Sequence, residues 1–151
     1  MVASLGAEDQ ALVRAAGLRA CVTCTDVHEY GKILVETALE ALGVAVEDGG
    51  VSSEPEDVAR VARERRSDFI AISTYNGVAL GFLKSLRAEM AALGLAVPVF
   101  VGGKLNQVPE DSPDSLPVDV HEELAALGAT VCVRVEEMLL ALVGLARERV
   151  R

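Results

Sequence analysis

The sequence predicts a doubly wound α/β domain: a five-stranded parallel sheet of order 2-1-3-4-5, with helices on both faces. Three observations carry this. Short apolar runs alternate five times with longer stretches whose apolar residues recur at helical spacing. The strand runs are apolar almost throughout, as strands covered on both faces must be. The 151 residues are 51% hydrophobic and 3% aromatic with no Trp, enough for one core packed from Val, Leu, Ala and Ile.

Each element has its own signal. Residues 1–17 form a short leader of one or two helical turns, followed by a single domain at 18–151. "LRACVTCT" is a β-compatible run, and "KILVETALEALG" is an amphipathic helix closed by a glycine. "VAVEDG" is the second strand. "SSEPEDVARVARERRSD" opens on Ser, Glu and Pro start signals and aligns Val58, Val61 and Ala62 on one face. "FIAIST" is the third strand, "GVALGFLKSLRAEMAALG" a long helix and "VPVFVGG" the fourth strand. The polar stretch 104–117 holds three of the five prolines and is expected to be a loop. "VHEELAALG", "ATVCVRV" and "EEMLLALVGLARERV" then supply a short helix, a fifth strand and a terminal helix. This is the flavodoxin-like (Rossmann-like) arrangement.

Charge and cysteine content exclude several classes of function. The formal net charge is −9, and basic residues are interleaved with Glu, as in "RVARERRSD". No basic stripe follows a phosphate backbone, so neither nucleic acid nor an anionic membrane is an expected partner. No apolar run approaches the ~20 residues of a membrane helix, and no signal peptide opens the chain, so the expected location is cytoplasmic. "CVTC" has redox spacing but lies in a strand, where i and i+3 point to opposite faces. Cys21, Cys24 and Cys132 are expected to be buried, inert thiols.

A sheet of this order has its ligand crevice outside the carboxyl ends of strands 1 and 3. Three stretches meet there: "TDVHEYG", "STYNG" and "VGGKLN". A flavin phosphate would need hydroxyls and glycines in the first loop, which instead offers Asp26, His28 and Glu29. A phospho-receiver would need Asp where Ser73 ends strand 3. A catalytic zinc needs three protein ligands, and the histidines are only His28 and His121, the latter at the start of a short surface helix. Ser73 lacks the flanking glycines of a nucleophile elbow. Asp26 and His28 are the sharper pair, because a metal-ligating imidazole usually gives its other N–H to a carboxylate. Gly31 would let the backbone approach a ligand closely. Alone, the pattern is better read as an N-capping Asp beside an ordinary loop histidine.

The pattern resembles the signature of the cobalamin-binding domain of corrinoid-dependent mutases and methyltransferases. That family carries Asp-x-His-x-x-Gly after strand 1, Ser-x-Leu at the end of strand 3 and Gly-Gly at the end of strand 4. This chain has Asp26, His28 and Gly31, then Ser73, then Gly102 and Gly103, with Lys32, Ile33, Leu34 and Val35 continuing the first motif. The resemblance implies that His28 is the lower axial ligand of the cobalt, replacing the cofactor's own dimethylbenzimidazole, and that Asp26 tunes it. It implies that the displaced nucleotide tail enters a slot between sheet and helices, where Ser73 contacts it and Gly102 and Gly103 leave room. Thr25, Val27, Glu29, Ile33 and Leu34 around the first motif, and Tyr75, Asn76 and Gly77 after Ser73, complete the implied cofactor-binding set.

Three departures are evident. Tyr75 stands where the family has Leu, the 104–117 loop is longer than usual, and "RVEEML" replaces the glycine-rich turn after strand 5. With only a short leader before strand 1, the chain is most similar to the small cobalamin-binding subunit of adenosylcobalamin-dependent carbon-skeleton mutases (methylmalonyl-CoA mutase-type or glutamate mutase-type). The resemblance then implies adenosylcobalamin as cofactor and a heteromer with a large, substrate-binding mutase subunit. Such an isomerase would not be active through this chain alone, and no substrate-contacting residue would lie in it. The alternative is a corrinoid carrier of a methyltransferase system or a cobalamin-dependent sensor.

Overall fold

The computed structural model of the protein describes residues 2–27, 29–75, 77–109 and 116–150. Two of the predicted cofactor-binding residues, His28 and Asn76, lie outside the described residues. A 3-10 turn at Val2–Ser4 is followed by α1 (Ala7–Ala16), β1 (Arg19–Cys24), α2 (Tyr30–Ala41), β2 (Ala45–Asp48), α3 (Pro55–Glu64) and β3 (Phe69–Thr74). Then come α4 (Ala79–Ala92), β4 (Val99–Gly103), β5 (Asn106–Gln107), β6 (Val118–Asp119), α5 (His121–Ala126), β7 (Thr130–Cys132) and α6 (Val135–Arg149). The main sheet is parallel with order β2-β1-β3-β4-β7, the 2-1-3-4-5 order expected once β7 is counted as its fifth strand.

Strand alternation divides the interior into two cores. Ala20, Val22, Phe69, Ala71 and Phe100 face α1, α2 and α6, where Leu39, Leu139 and Leu142 are buried. Cys21, Ile70, Ile72, Val99 and Val101 face α3, α4 and α5, against Val58, Leu83, Leu86 and Leu124. Cys21 thus faces the second core, and the alternation turns Cys24, three residues on, to the opposite face. All three cysteines are free and buried. Burial pushes the Cys21 thiol up to about 12 and the Cys132 thiol up to about 11, so neither is a thiolate at neutral pH.

Three elements differ from the expectation. The leader holds a ten-residue helix, α1, with Glu8 and Asp9 in its first turn, Arg14 in its last, and Gly17 as a left-handed cap (φ 61°). It buries Val13 and Ala16 in the first core, against α6. The proline-containing loop closes into a small antiparallel hairpin, β5–β6, pairing Asn106 with Asp119 and Gln107 with Val118. The Gln107 side chain accepts the Gly81 N–H at 2.8 Å and donates to the Val108 carbonyl at 3.1 Å, tying the hairpin to α4. Finally, β7 stops at Cys132, because Arg134 is already the extended cap (φ −129°, ψ 151°) from which α6 starts at Val135.

Among the described residues no helix is long and apolar enough to cross a membrane. Leu139 is fully buried at the centre of the first core. Leu139→Ala is expected to lower stability by ~2–5 kcal/mol, read from the midpoint of urea unfolding at unchanged slope.

Candidate functional site

Parallel pairing brings the ends of four strands into one row. Cys24 pairs with Ser73, Ser73 with Gly102, and Gly102 with Cys132. Ser73 and Gly102 share the face of Phe69, Ala71 and Phe100, so the first core runs upward to the carboxyl edge. There it opens into a slot of about 180 Å³ between the sheet and the helices α2 and α6. Ala71 and Phe100 form its floor, Leu34 and Val35 of α2 one wall, and Val135 and Met138 of α6 the other.

Three glycines line the slot, and at each a side chain would collide with neighbouring protein atoms. A Cβ on Gly31 would lie 2.5 Å from Ser73 Oγ and 3.1 Å from the Tyr75 ring. One on Gly102 would lie 3.0 Å from the Cys132 carbonyl oxygen. Gly103 has φ +105°, and a Cβ there would fall 2.3 Å from the Thr74 carbonyl. At these positions glycine permits a close approach that a Cβ would block, and at Gly103 it also permits the positive φ.

The loop after β1 is held from below. Thr25 is buried, its N–H donates to the Ser73 carbonyl at 3.1 Å, and its hydroxyl donates to Thr74 Oγ1 at 2.8 Å. Asp26 is buried too, and its carbonyl accepts the Ser52 N–H at 3.1 Å and the Cys24 thiol at 3.2 Å. The cap of α2 is Glu29, with no side-chain capping bond, so Asp26 is not the N-cap of that helix. The first turn of α2 is fixed by Lys32, only 4% exposed, whose Nζ lies 3.0 Å from Asp48 Oδ1 and 3.1 Å from Glu36 Oε1. Burial pulls the Lys32 ammonium down, yet its bonds to Asp48 and Glu36 outweigh this and hold it above its usual value. The Gly50 N–H, at 2.7 Å, and then Lys32 hold the Asp48 carboxyl below its usual value.

Around the slot the edge is apolar and exposed. Loops after β1, β2, β3 and β7 present Val27, Val51, Tyr75 and Val133, with Tyr30 and Ile33 on the first turn of α2. Val27 and Tyr30 are 72% and 74% exposed. Lys104 and Arg134 supply two cations at the mouth of the slot.

Of the residues singled out from sequence, Gly31, Leu34, Ser73, Tyr75, Gly102 and Gly103 line the slot together. Asp26, Val27 and Glu29 sit in the loop between β1 and α2, and Ile33 points outward. Gly77 (φ +77°) turns against the hairpin, where a Cβ would meet Val108 at 3.0 Å. His121, at the start of α5, is 3.9 Å from Asp119 and half exposed. Among the described residues no group of three or more His, Cys, Asp or Glu is placed to hold a metal ion. Sequence reasoning missed Phe100, Lys104, Cys132, Arg134 and Met138. Only Lys104 carried a usable signal, since it follows the double glycine in "VGGKLN".

Residues 18–136 match the B12 binding domain family. The methylmalonyl-CoA mutase large subunit of Propionibacterium freudenreichii subsp. shermanii is 31% identical over 107 residues, which are 70% of this chain and 14% of that protein. The chain therefore spans about one seventh of that relative. A cobalamin-binding protein from Desulfitobacterium hafniense DCB-2 superimposes with a TM-score of 0.68 at 18% identity, covering 85% of this chain and 58% of that one. The monomethylamine corrinoid protein of Methanosarcina barkeri gives 0.66 at 22%, covering 91% and 62%. At such identities the two structures establish a shared fold.

Two predictions test this geometry. Gly103→Ala is expected to cost ~3 kcal/mol or more in urea unfolding, because a left-handed backbone and a carbonyl contact oppose the methyl together. A carboxylate lowered by folding stabilises above its unfolded pKa, near 3.8 for Asp48, and loses that contribution as pH falls through the folded value. The stability gap between wild type and Asp48→Asn should therefore be constant from about pH 5 to 7 and narrow below about pH 4, by denaturant titration across that range.

Proposed function

Because the chain belongs to the B12-binding domain family, we propose that it holds cobalamin over the carboxyl edge of its sheet for an adenosylcobalamin-dependent carbon-skeleton mutase. The observation that carries this reading is the glycine-lined slot, whose floor, walls and mouth suit a displaced nucleotide tail. The exposed apolar rim of Val27, Tyr30, Ile33 and Val133 suits the underside of a corrin macrocycle. His28 is the lower axial ligand of the cobalt in this reading, and Asp26 accepts the other imidazole N–H to set tautomer and basicity. When bound, the cofactor supplies radical chemistry through homolysis of its cobalt–carbon bond.

The chain's own residues position and exclude. Ser73, at the centre of the cross-strand row, offers a hydroxyl to the tail. Leu34, Phe100 and Met138 keep water from its base. Lys32, clamped by Glu36 and Asp48, keeps the first turn of α2 against the slot. Lys104 and Arg134 at the mouth complement a phosphodiester.

The mutase reading is favoured over a carrier by the 31% identity to a methylmalonyl-CoA mutase large subunit. In that relative the matched stretch is part of the large chain, so the substrate-binding portion is either a separate large subunit or the same polypeptide. In both arrangements substrate is bound outside these residues. The same site would serve a corrinoid carrier, a reading supported by the fold shared with the monomethylamine corrinoid protein.

Cobalamin added to the purified protein and reduced to Co(II) should give an electron paramagnetic resonance spectrum split by one imidazole nitrogen. His28→Ala should lose that splitting and weaken binding by about tenfold or more. Failure of the wild type to bind a corrin, or an unchanged nitrogen signal in His28→Ala, would refute the ligation. Turnover after mixing with a large mutase subunit would separate mutase from carrier.

A further inference from the structure

Tyr75, which stands where the family pattern has Leu, lines the slot, and its position gives it a specific task. Its ring lies against Gly31, with Cε2 and Oη both 3.1 Å from where a Cβ on that glycine would be. Gly31, Tyr75 and Lys104 border the inner slot, and the same three residues with Tyr30 border an outer depression of about 370 Å³. The Tyr75 side chain is therefore a partition between the slot and the surface above it.

The backbone that carries the partition is tied on both sides. The Thr74 hydroxyl accepts a bond from Thr25 at 2.8 Å, and its carbonyl accepts the Lys104 N–H at 2.7 Å. Gly103 packs directly on that carbonyl. Two residues beyond Tyr75, the Gly77 carbonyl accepts the Val108 N–H at 2.8 Å and anchors the loop to the hairpin. The ring would withdraw by rotation of the Tyr75 side chain, next to a backbone bonded at Thr74. At 41% exposure the ring already has an open side toward which to turn. A leucine in its place is too short to span from the end of β3 to Gly31.

We propose that Tyr75 is the gate of the slot and determines which corrinoids enter it and how fast. Its ring bulk closes the mouth, and a nucleotide tail enters only after the ring has rotated outward. A corrinoid without a tail has no need of the slot and passes no gate. This inference rests on the tail-in-slot reading given above, and it adds a residue that discriminates among ligands of that site.

The test is stopped-flow visible absorption with hydroxocobalamin, which carries the tail, and aquacobinamide, which lacks it. Wild type, Tyr75→Leu and Tyr75→Phe are compared. Tyr75→Leu should accelerate uptake of hydroxocobalamin by about tenfold, the change that ~1.4 kcal/mol of opening cost makes in a rate, and leave cobinamide uptake unchanged. Tyr75→Phe keeps the ring and should match wild type with both ligands. Unchanged cobinamide uptake also shows that the leucine variant is folded. Equal acceleration of both corrinoids, no acceleration of either, or a phenylalanine variant as fast as leucine overturns the gate. Wild type that binds neither corrinoid overturns the proposed cofactor, and the gate with it.

Discussion

The parallel register that sets Cys24, Ser73, Gly102 and Cys132 in one cross-strand row is the constraint on which the candidate site depends. A slip of one residue in β3 or β4 would carry Ser73 or Gly102 to the opposite face and leave no slot. Two contacts resist that slip. Phe69 and Phe100 meet edge to face with centroids 5.3 Å apart in the first core. Gly103, paired with Thr74 one position beyond the row, approaches the Thr74 carbonyl so closely that a side chain there would collide with it. The slot is in this sense an upward continuation of the hydrophobic core, left unfilled by glycines.

Polar interactions serve mainly to hold the rim of that opening. Lys32 is a buried cation satisfied by two carboxylates, one on its own helix and one at the end of β2. Removing one partner of such a group leaves a desolvated charge, so Lys32 fixes the position of α2 more than it adds net stability. Thr25 and Thr74 tie β1 to β3 at the same height. The hairpin β5–β6, fastened through Gln107 and Val108, supports the loop that carries Tyr75 from the other side.

Much of this was legible in residue order. The five βα units followed from strand runs such as "FIAIST", buried throughout, and from the helical spacing of Val58, Val61 and Ala62, of which Val58 and Ala62 are fully buried. Gly31, Ser73, Gly102 and Gly103 stand out in the sequence through the family motif, and the topology sends the loops after β1, β3 and β4 to one edge. Helix α1 was underestimated because it buries only Val13 and Ala16, too few to mark a face. The hairpin escaped notice because two-residue strands leave no alternation to read, and prolines nearby argue for loop.

Local periodicity and spaced motifs thus sufficed, from the sequence by itself, for the five βα units, the sheet edge at which the motif-bearing loops converge and the family to which the chain belongs. Only the tertiary structure decided that Cys132, Arg134 and Met138 line the slot with Leu34, and that Tyr75 lies across Gly31. Those contacts join residues 44 to about 100 positions apart. They depend on how α2 and α6 dock on the sheet and on the register between strands, which no local pattern of residues records.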